Sequence, residues 1–163
     1  PTVDKYRLAK LAENVKPEHI KNETPTKTTA YETFLDASVI LFDAHVPVDG
    51  RMAFVTPAFY KLIHLDKNFT SYGDKAHEIA VSGAAGVMDK TVIVVTPTDY
   101  LPEKTNFMIT HPVAMTSPTK IADYKQHENA PGINGWLCEG RIYYDAFVLN
   151  KKKAAIYISK QPT

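Results

Sequence analysis

Three groups in the sequence place a histidine near a carboxylate, the combination that metal-assisted or acid–base chemistry would need. They are His64 with Asp66, His77-Glu78, and Asp123 with His127-Glu128. None has the two histidines four residues apart that set both ligands on one face of a zinc-protease helix. A metal site also needs three or four converging ligands. The sequence therefore predicts ordinary surface pairs, and we predict no catalytic, cofactor-binding or metal-binding residue.

Cys138 is the only cysteine, so an internal disulfide is impossible and a reducing compartment is favoured. A catalytic thiol needs a basic neighbour that activates it, whereas Cys138 lies between Leu137 and Glu139, close to Trp136. We expect a partly buried thiol beside an aromatic ring.

Two short motifs could bind phosphate. The segment Gly83-Ala84-Ala85-Gly86 lacks the Lys-Ser/Thr of a phosphate-binding loop and leads into a strand-like segment, so it is predicted to be a turn. The run Lys151 to Lys153 could contact nucleic-acid phosphates, and the competing prediction is a solvated turn that blunts a strand edge.

The composition is that of one globular domain. The chain has 163 residues, 44% of them hydrophobic, and 19 basic against 18 acidic residues give a net charge of +1. This balance gives no electrostatic argument for a nucleic-acid or membrane partner. The apolar stretches are shorter than the roughly 20 residues of a membrane-spanning helix, and charged residues near the N-terminus argue against a signal peptide.

Three helices are predicted. Asp4 caps the first, which runs to Val15, and 17–27 is a surface connection. Thr29 and Glu32 form a capping box for the second, whose apolar face is the set Tyr31, Phe34, Leu35, Ser38, Val39 and Phe42. Thr56 and Pro57 start the third.

Strands are predicted at 51–56, 79–81, 91–95 and 107–110, with turns or loops at 45–50, 68–75 and 97–106. The segments 141–149 and 154–159 flank 150–153 and are predicted to form a terminal hairpin. Because no regular βαβ alternation is present, the fold class is α+β.

Aromatic residues exceed what one small core requires, with nine tyrosines and seven phenylalanines. Core positions are predicted for Phe34, Phe42, Phe54 and Phe59. The tyrosines in loop-like or edge positions are either interface anchors or ordinary surface residues. They are Tyr72, Tyr100, Tyr143 and Tyr144.

The segment from Val46 to Leu62 carries a family resemblance. It reads Val46-Pro47-Val48-Asp49-Gly50-Arg51, then a strand that leads into Thr56-Pro57-Ala58-Phe59-Tyr60. Together with the Gly86 to Pro97 strand region and Lys153-Ala154-Ala155-Ile156, this order resembles the tailed-phage major capsid proteins of the Hong Kong 97 type. The resemblance covers about Ala30 to Ser159.

The resemblance implies a Hong Kong 97-like capsid fold: an axial domain with a central mixed sheet flanked by helices, plus part of a peripheral domain. We expect the axial core at 1–110 and peripheral strands and return segments at 111–163, in particular 111–125 and 154–160. Family members carry an N-terminal arm, an extended hairpin loop and a long spine helix upstream. The chain is therefore expected to be a truncated form that builds no complete shell alone.

The implied function is structural: a self-assembling head subunit of a tailed phage or prophage, without enzymatic activity. Its partners would be copies of itself in pentamers and hexamers, possible scaffold, portal or cement proteins, and packaged DNA only non-specifically, with no membrane. It would be assembled in the bacterial cytoplasm and reside in the virion. Candidate subunit contacts are Val46, Asp49, Arg51, Tyr72, Tyr100, Tyr143 and Tyr144.

Two alternatives stay open. One is a small metal- or ligand-binding enzyme domain that uses a histidine–carboxylate site, and the other is an encapsulin-like compartment shell of similar fold.

Overall fold

The computed structural model describes residues 2–66, 86–128, 131–132 and 134–162. Its centre is a six-stranded mixed sheet. Across the sheet, the strands are β1 (Ile20–Asn22), β10 (Ile156–Lys160), β5 (Thr105–Thr110), β2 (Met52–Val55), β4 (Thr91–Val95) and β3 (Gly86–Met88). The helices are α1 (Thr2–Glu13), α2 (Ala30–Asp43) and α3 (Pro57–Leu65).

Two smaller antiparallel sheets follow β5 along the chain. One pairs β6 (Met115–Thr116) with β9 (Phe147–Val148), and the other pairs β7 (Thr119–Glu128) with β8 (Trp136–Tyr144). Short 3-10 helices occupy Pro17–His19, Thr98–Tyr100, Pro112–Ala114 and Asn150–Ala155. Mixed strand directions and separate helices confirm the α+β class.

Strand β5 lies in the middle of the sheet, and both of its faces are covered. Every residue of β5 is buried, and its neighbours β2 and β10 pair with it antiparallel. On one face, the Phe107 ring lies 5.5 Å from Phe34 of α2 and 4.7 Å from Phe59 of α3. Helices α2 and α3 therefore cover this face. The strands predicted at 51–56, 91–95 and 107–110 are confirmed.

Helix α3 starts as predicted. The Thr56 hydroxyl accepts a hydrogen bond from the Phe59 amide at 3.4 Å, and Pro57 occupies the first turn. A threonine cap satisfies one of the free amides at the helix start, and proline has no amide to leave unsatisfied. The turn predicted at 45–50 is also present, with positive φ at His45 and Gly50.

Two predictions about α2 are wrong. Thr29 has helical torsion angles and its hydroxyl accepts from the Thr26 amide at 3.0 Å, so the capping box does not form. The buried face is also rotated from the predicted one, leaving Val39 57% and Phe42 66% exposed. The buried residues are Ala30, Thr33, Phe34, Ala37, Ser38 and Leu41. This face lies against the sheet, since Phe34 contacts Phe107 of β5.

Helix α1 begins two residues before Asp4, which lies in the first turn and forms an ion pair with Arg7 at 3.6 Å. The predicted cap at Asp4 is therefore wrong. The expected surface connection at 17–27 contains β1, which pairs in parallel with β10. Its three residues carry too little periodicity to predict a strand.

The predicted terminal hairpin is also wrong. Arg141 and Tyr144 belong to β8, which pairs with β7, whereas Ile156–Lys160 forms β10 in the central sheet. The residues between these strands form the 3-10 helix Asn150–Ala155. Aromatic alternation identified the strands, but alternation does not identify the partner of a strand. The predicted strand at 79–81, the loop at 68–75 and residues 82–85 of the small-residue turn lie outside the described residues.

Candidate functional site

The histidine–carboxylate groups do not converge. His127 Nε2 lies 3.2 Å from Glu139 Oε1 across the β7–β8 hairpin, and hydrogen bonding to His127 lowers the pKa of Glu139. The His64 ring packs edge-on against Tyr60, and Asp66 is buried and accepts from the Tyr31 amide at 3.1 Å. His77 and Glu78 lie outside the described residues. In the part of the chain that the structure describes, no three His, Cys, Asp or Glu residues form a group that could hold a metal ion.

Arg51 is a structural residue with its side chain only 1% exposed. Its guanidinium donates to the carbonyl oxygens of Pro47 (2.9 Å), Ser38 (3.3 Å) and Val46 (2.7 Å). Burial lowers its pKa, and the negative charge of Asp89 acts in the opposite direction. Val46 is buried as well, at 7% exposure. Both side chains are covered within the subunit, and their assignment as contact residues stays a prediction. They shape the 45–50 turn from within.

Asp49 is exposed at the tip of this turn, as a contact residue would be. Its carbonyl oxygen lies 3.0 Å from His111 Nε2, and His111 Nδ1 accepts from the Val113 amide at 3.2 Å. Gly50 adopts φ +86°, and a Cβ there would lie 3.5 Å from His111 Nε2. The turn is therefore held from both sides, by Arg51 and by His111.

The four candidate tyrosines have different surroundings. Tyr143 is 62% exposed on β8. Tyr144 is half-buried against Tyr6, with ring centroids 5.7 Å apart. Tyr100 is half-buried and packs against the main core, and Tyr72 lies outside the described residues. Of the three described tyrosines, Tyr143 alone presents most of its ring to solvent.

The base of the β7–β8 hairpin is fixed to α1 by polar contacts. The Tyr6 hydroxyl donates to Asp145 Oδ1 at 2.9 Å, which also raises the pKa of Tyr6. Arg7 Nε donates to the Ser117 hydroxyl at 2.6 Å, and this hydroxyl donates to the Asp145 carbonyl oxygen at 3.0 Å. The hairpin therefore leaves the body at a defined position.

Beyond its base, the hairpin has two different faces, because residues opposite each other in the ladder share a face. We call one the charged face; it consists of Asp123, Lys125, His127, Leu137, Glu139 and Arg141, and Ile121 and Tyr143 continue it at the base. We call the other the uncharged face; it consists of Ala122, Tyr124, Gln126, Trp136, Cys138 and Ile142, with Gly140 between them and Glu128 at the tip.

Cys138 is exposed on the uncharged face, so the prediction of a partly buried thiol is wrong. A hydrogen bond between Cys138 and the Tyr124 hydroxyl raises the pKa of this tyrosine. Tyr124 lies on β7, opposite Gly140 of β8, and a Cβ at Gly140 would lie 3.8 Å from Cδ2 of the Tyr124 ring. Tyr124 and Cys138 thus contact each other on this face, and both remain open to solvent.

Sequence reasoning missed this hairpin, although a signal was present. Gly132 and Gly135 have φ values of +86° and +148°, and Pro131-Gly132 and Asn134-Gly135 are both turn dipeptides. The segments on either side alternate between charged and uncharged residues. A search for paired alternating segments around these dipeptides would have found both strands.

Lys151 and Lys152 are exposed in the 3-10 helix, and Lys153 is half-buried.

None of the described helices is long and apolar enough to cross a membrane.

No family model and no curated protein matches the sequence. Solved structures do match. A chain of Mycobacterium phage Che8 superimposes with a TM-score of 0.71 at 17% identity, covering 97% of this chain and 57% of that one. The capsid structure of cyanophage P-SCSP1u gives 0.67 at 14% identity, with 99% and 62% covered. The mature capsid of bacteriophage PhiM1 gives 0.65 at 11% identity, with 98% and 60% covered.

The chain therefore has the Hong Kong 97-type capsid fold, as the sequence resemblance predicted. It spans about three fifths of the length of the solved chains that it matches.

Proposed function

We propose that this chain is a structural subunit of a tailed-phage or prophage head, which associates with copies of itself and catalyses no reaction. The observation that carries the proposal is the match of almost the whole chain to solved capsid structures at TM-scores of 0.65 to 0.71. Because one fold can host many functions, the match by itself shows only the fold. The shell role is supported by the match together with the surface features described above.

The surface favours assembly over catalysis. The enzyme alternative required a histidine and carboxylates to converge in a cleft, and within the described ranges they are dispersed over α3 and the hairpin. Large apolar side chains are exposed instead on α2, near β9 and on the hairpin, a pattern typical of protein contact surfaces.

Ring formation requires two different surfaces on each subunit, because contacts between unlike patches close around an axis. We propose rings of five or six, with Asp49, Tyr72 and Tyr143 among the contact residues and Tyr100 and Tyr144 contributing through the elements they support. The axial region at 1–110 and the peripheral region at 111–163 remain our proposed division. One part of this division changes. We now assign residues 156–160 to the axial region, because β10 lies in the same sheet as 52–55 and 105–110.

The wider setting is proposed on the same basis. Scaffold, portal or cement proteins would be further partners, packaged DNA would be contacted only non-specifically, and assembly would occur in the bacterial cytoplasm before the subunit resides in the virion. An encapsulin-like compartment is the related alternative, and enclosed nucleic acid as opposed to enclosed enzyme would distinguish the two.

Sedimentation velocity at increasing protein concentration, combined with electron microscopy and metal analysis, tests the proposal. We expect concentration-dependent rings or sheets of subunits and no stoichiometric metal. A monodisperse monomer that retains zinc would instead favour the enzyme alternative.

A further inference from the structure

We infer that the uncharged face of the β7–β8 hairpin packs against a second copy of this chain, while Lys125 on the charged face stays in solvent. The inference rests on the proposed function and names the surface through which self-association proceeds. It starts from the exposure of the face: Tyr124 is 68%, Trp136 60% and Ile142 59% exposed.

The hairpin needs a partner that the described part of its own chain does not supply. An isolated two-stranded hairpin is at best marginally stable in water. Among the strands that the structure describes, β7 and β8 pair only with each other, and nearly all of their residues are exposed. A second molecule that covered the uncharged face would remove its aromatic side chains from water and would stabilise the ribbon.

Charge identifies the kind of partner. On the charged face, Lys125 Nζ lies 3.7 Å from Asp123 Oδ2, and Glu139 pairs with His127. Asp123 and Glu139 thus offset Lys125 and Arg141 within this face, with the His127 imidazole bonded to Glu139. The uncharged face has a single charge, that of Glu128 at the tip, and no cation to neutralise phosphate. A nucleic acid therefore has no reason to bind it. Its partner must be an uncharged, partly apolar protein surface.

Area favours a copy of the same chain. Nine residue pairs in two strands present roughly 300 Å² per face, from a rise of about 3.3 Å per residue and a strand spacing of about 4.8 Å. A stable complex of two different proteins usually buries about 800 Å² on each partner. The face is too small to hold a soluble partner alone. It suits a contact that is repeated around every subunit of a closed assembly.

The single cysteine provides the test. We would measure the rate of Cys138 alkylation by a maleimide in dispersed chains and in the associated species from sedimentation. Because access to the thiol limits this reaction, we expect alkylation to be about tenfold slower in the associated species. The matched control is the double variant Cys138→Ser, Lys125→Cys, which moves the thiol to the charged face. Its rate should be nearly the same in both states.

Each result decides between the claims. Association in which both thiols react equally fast would overturn this inference and leave the proposed function intact. Protection of both thiols would overturn the claim that one face binds. Protection by phosphatidylcholine vesicles without self-association would show a membrane contact instead. A chain that never associates would overturn the proposed function and the inference together.

A second measurement uses adjacent residues on opposite faces. Trp136→Lys places a cation on the uncharged face, and Leu137→Lys places one on the charged face. We expect Trp136→Lys to raise the concentration needed for association about tenfold, because it removes the indole ring from the contact and an ion pair with Glu128 is costly to bury, and Leu137→Lys to leave it nearly unchanged. Circular dichroism would confirm that both variants fold. Equal effects of the two substitutions would contradict the inference.

Discussion

Arg51 carries a positive charge into the interior between α2 and the turn that precedes β2. Its three hydrogen bonds end on backbone carbonyl oxygens of α2 and of the turn, and no carboxylate among the described residues forms an ion pair with the guanidinium. Carbonyl oxygens near the C-terminus of a helix carry partial negative charge and favour a cation there. The planar guanidinium reaches the three acceptors from three separate nitrogens, whereas an ammonium group would have to direct all of its donors from one nitrogen. The Arg51 side chain therefore connects α2, the 45–50 turn and the start of β2.

We expect Arg51→Met to lower the free energy of unfolding by roughly 2–4 kcal/mol, because buried carbonyl oxygens lose a charged donor. Arg51→Lys should recover only part of this loss. Urea denaturation with a fluorescence readout measures both variants. Stability within about 0.5 kcal/mol of the wild type for Arg51→Met would show that the hydrogen bonds only offset the cost of burying the charge.

Tyr157 makes stability depend on pH in the alkaline range. The ring is fully buried on β10, and burial, followed by the negative charge of Glu23, raises the pKa of its hydroxyl well above 10.0. Its contribution is therefore complete below about pH 10 and is lost as the pH rises further, since only the unfolded chain ionises there. We expect the free energy of unfolding to fall by up to about 1.4 kcal/mol per pH unit between about pH 10 and 12 from this residue.

The variant Tyr157→Phe isolates this effect. Urea denaturation at several pH values should give a shallower alkaline decline for Tyr157→Phe than for the wild type. Parallel declines would contradict the assignment to Tyr157.

At the level of single residues, the sequence indicated which motif is present but not which of its side chains are buried. The motif from Val46 to Arg51 was recognised, and its turn is present, but burial decides whether a side chain can contact a neighbour. Arg51 is a charged residue at 1% exposure, and Phe42 is an aromatic residue at 66% exposure. Both contradict the usual preference of their residue type, and local sequence does not encode such tertiary placement.

Helix α2 ends in a Schellman motif without glycine. The His45 amide donates to the Phe42 carbonyl oxygen at 2.9 Å, and the Val46 amide donates to that of Leu41 at 3.0 Å. His45 occupies the left-handed position with φ +57°, which most residues with a Cβ disfavour. The helix therefore ends at the cost of local backbone strain.

We expect His45→Gly to raise the free energy of unfolding by about 0.5–1 kcal/mol, because glycine adopts positive φ without steric cost. Ala44→Gly is the matched control: Ala44 has φ −78°, so the same change one residue earlier should destabilise the protein. Thermal unfolding of the two variants measures the difference. A stability gain at both positions, or at neither, would contradict this explanation.

Elements were predictable where the pattern was long or strongly biased. The β-branched run Thr91–Val95 and the Thr56-Pro57 helix start are both present within a residue of their predicted positions. Three-residue β1 and the pairing of β10 depend on contacts with distant parts of the chain. His19 and Ile156, which are joined by a hydrogen bond at the beginning of these strands, are 137 positions apart. Periodicity within a short window cannot report such a pairing.

The whole molecule consists of a packed body and a projecting ribbon. The body contains the six-stranded sheet and the helices on it, while β7 and β8 form a sheet of their own that is attached through Asp145, Ser117 and Tyr144. Contacts inside the body do not involve the outer part of the ribbon. We therefore expect folding of the body and the proposed self-association to be separable.

Replacing residues 120–143 with a two-residue Asn-Gly turn tests this separation. We expect the melting temperature to stay within about 4 °C of the wild type, because Thr119 and Tyr144 are already paired and the central sheet is unaffected. Self-association should be lost if the uncharged face is the contact. A Gly-Ser segment of the original length is the control for the shortened connection. Loss of the circular dichroism signal would show that the ribbon is required for folding.

The place of β10 in the sheet has a consequence for biosynthesis. This strand lies between β1 and β5, yet the ribosome delivers it after the other five strands of the sheet. Until then, β1 has no partner and one side of β5 is open. The nascent chain therefore exposes unpaired strand edges until β10 is synthesised, and pairing between segments so far apart in the sequence is slow. A chaperone that covers strand edges would act between the synthesis of β5 and the synthesis of β10.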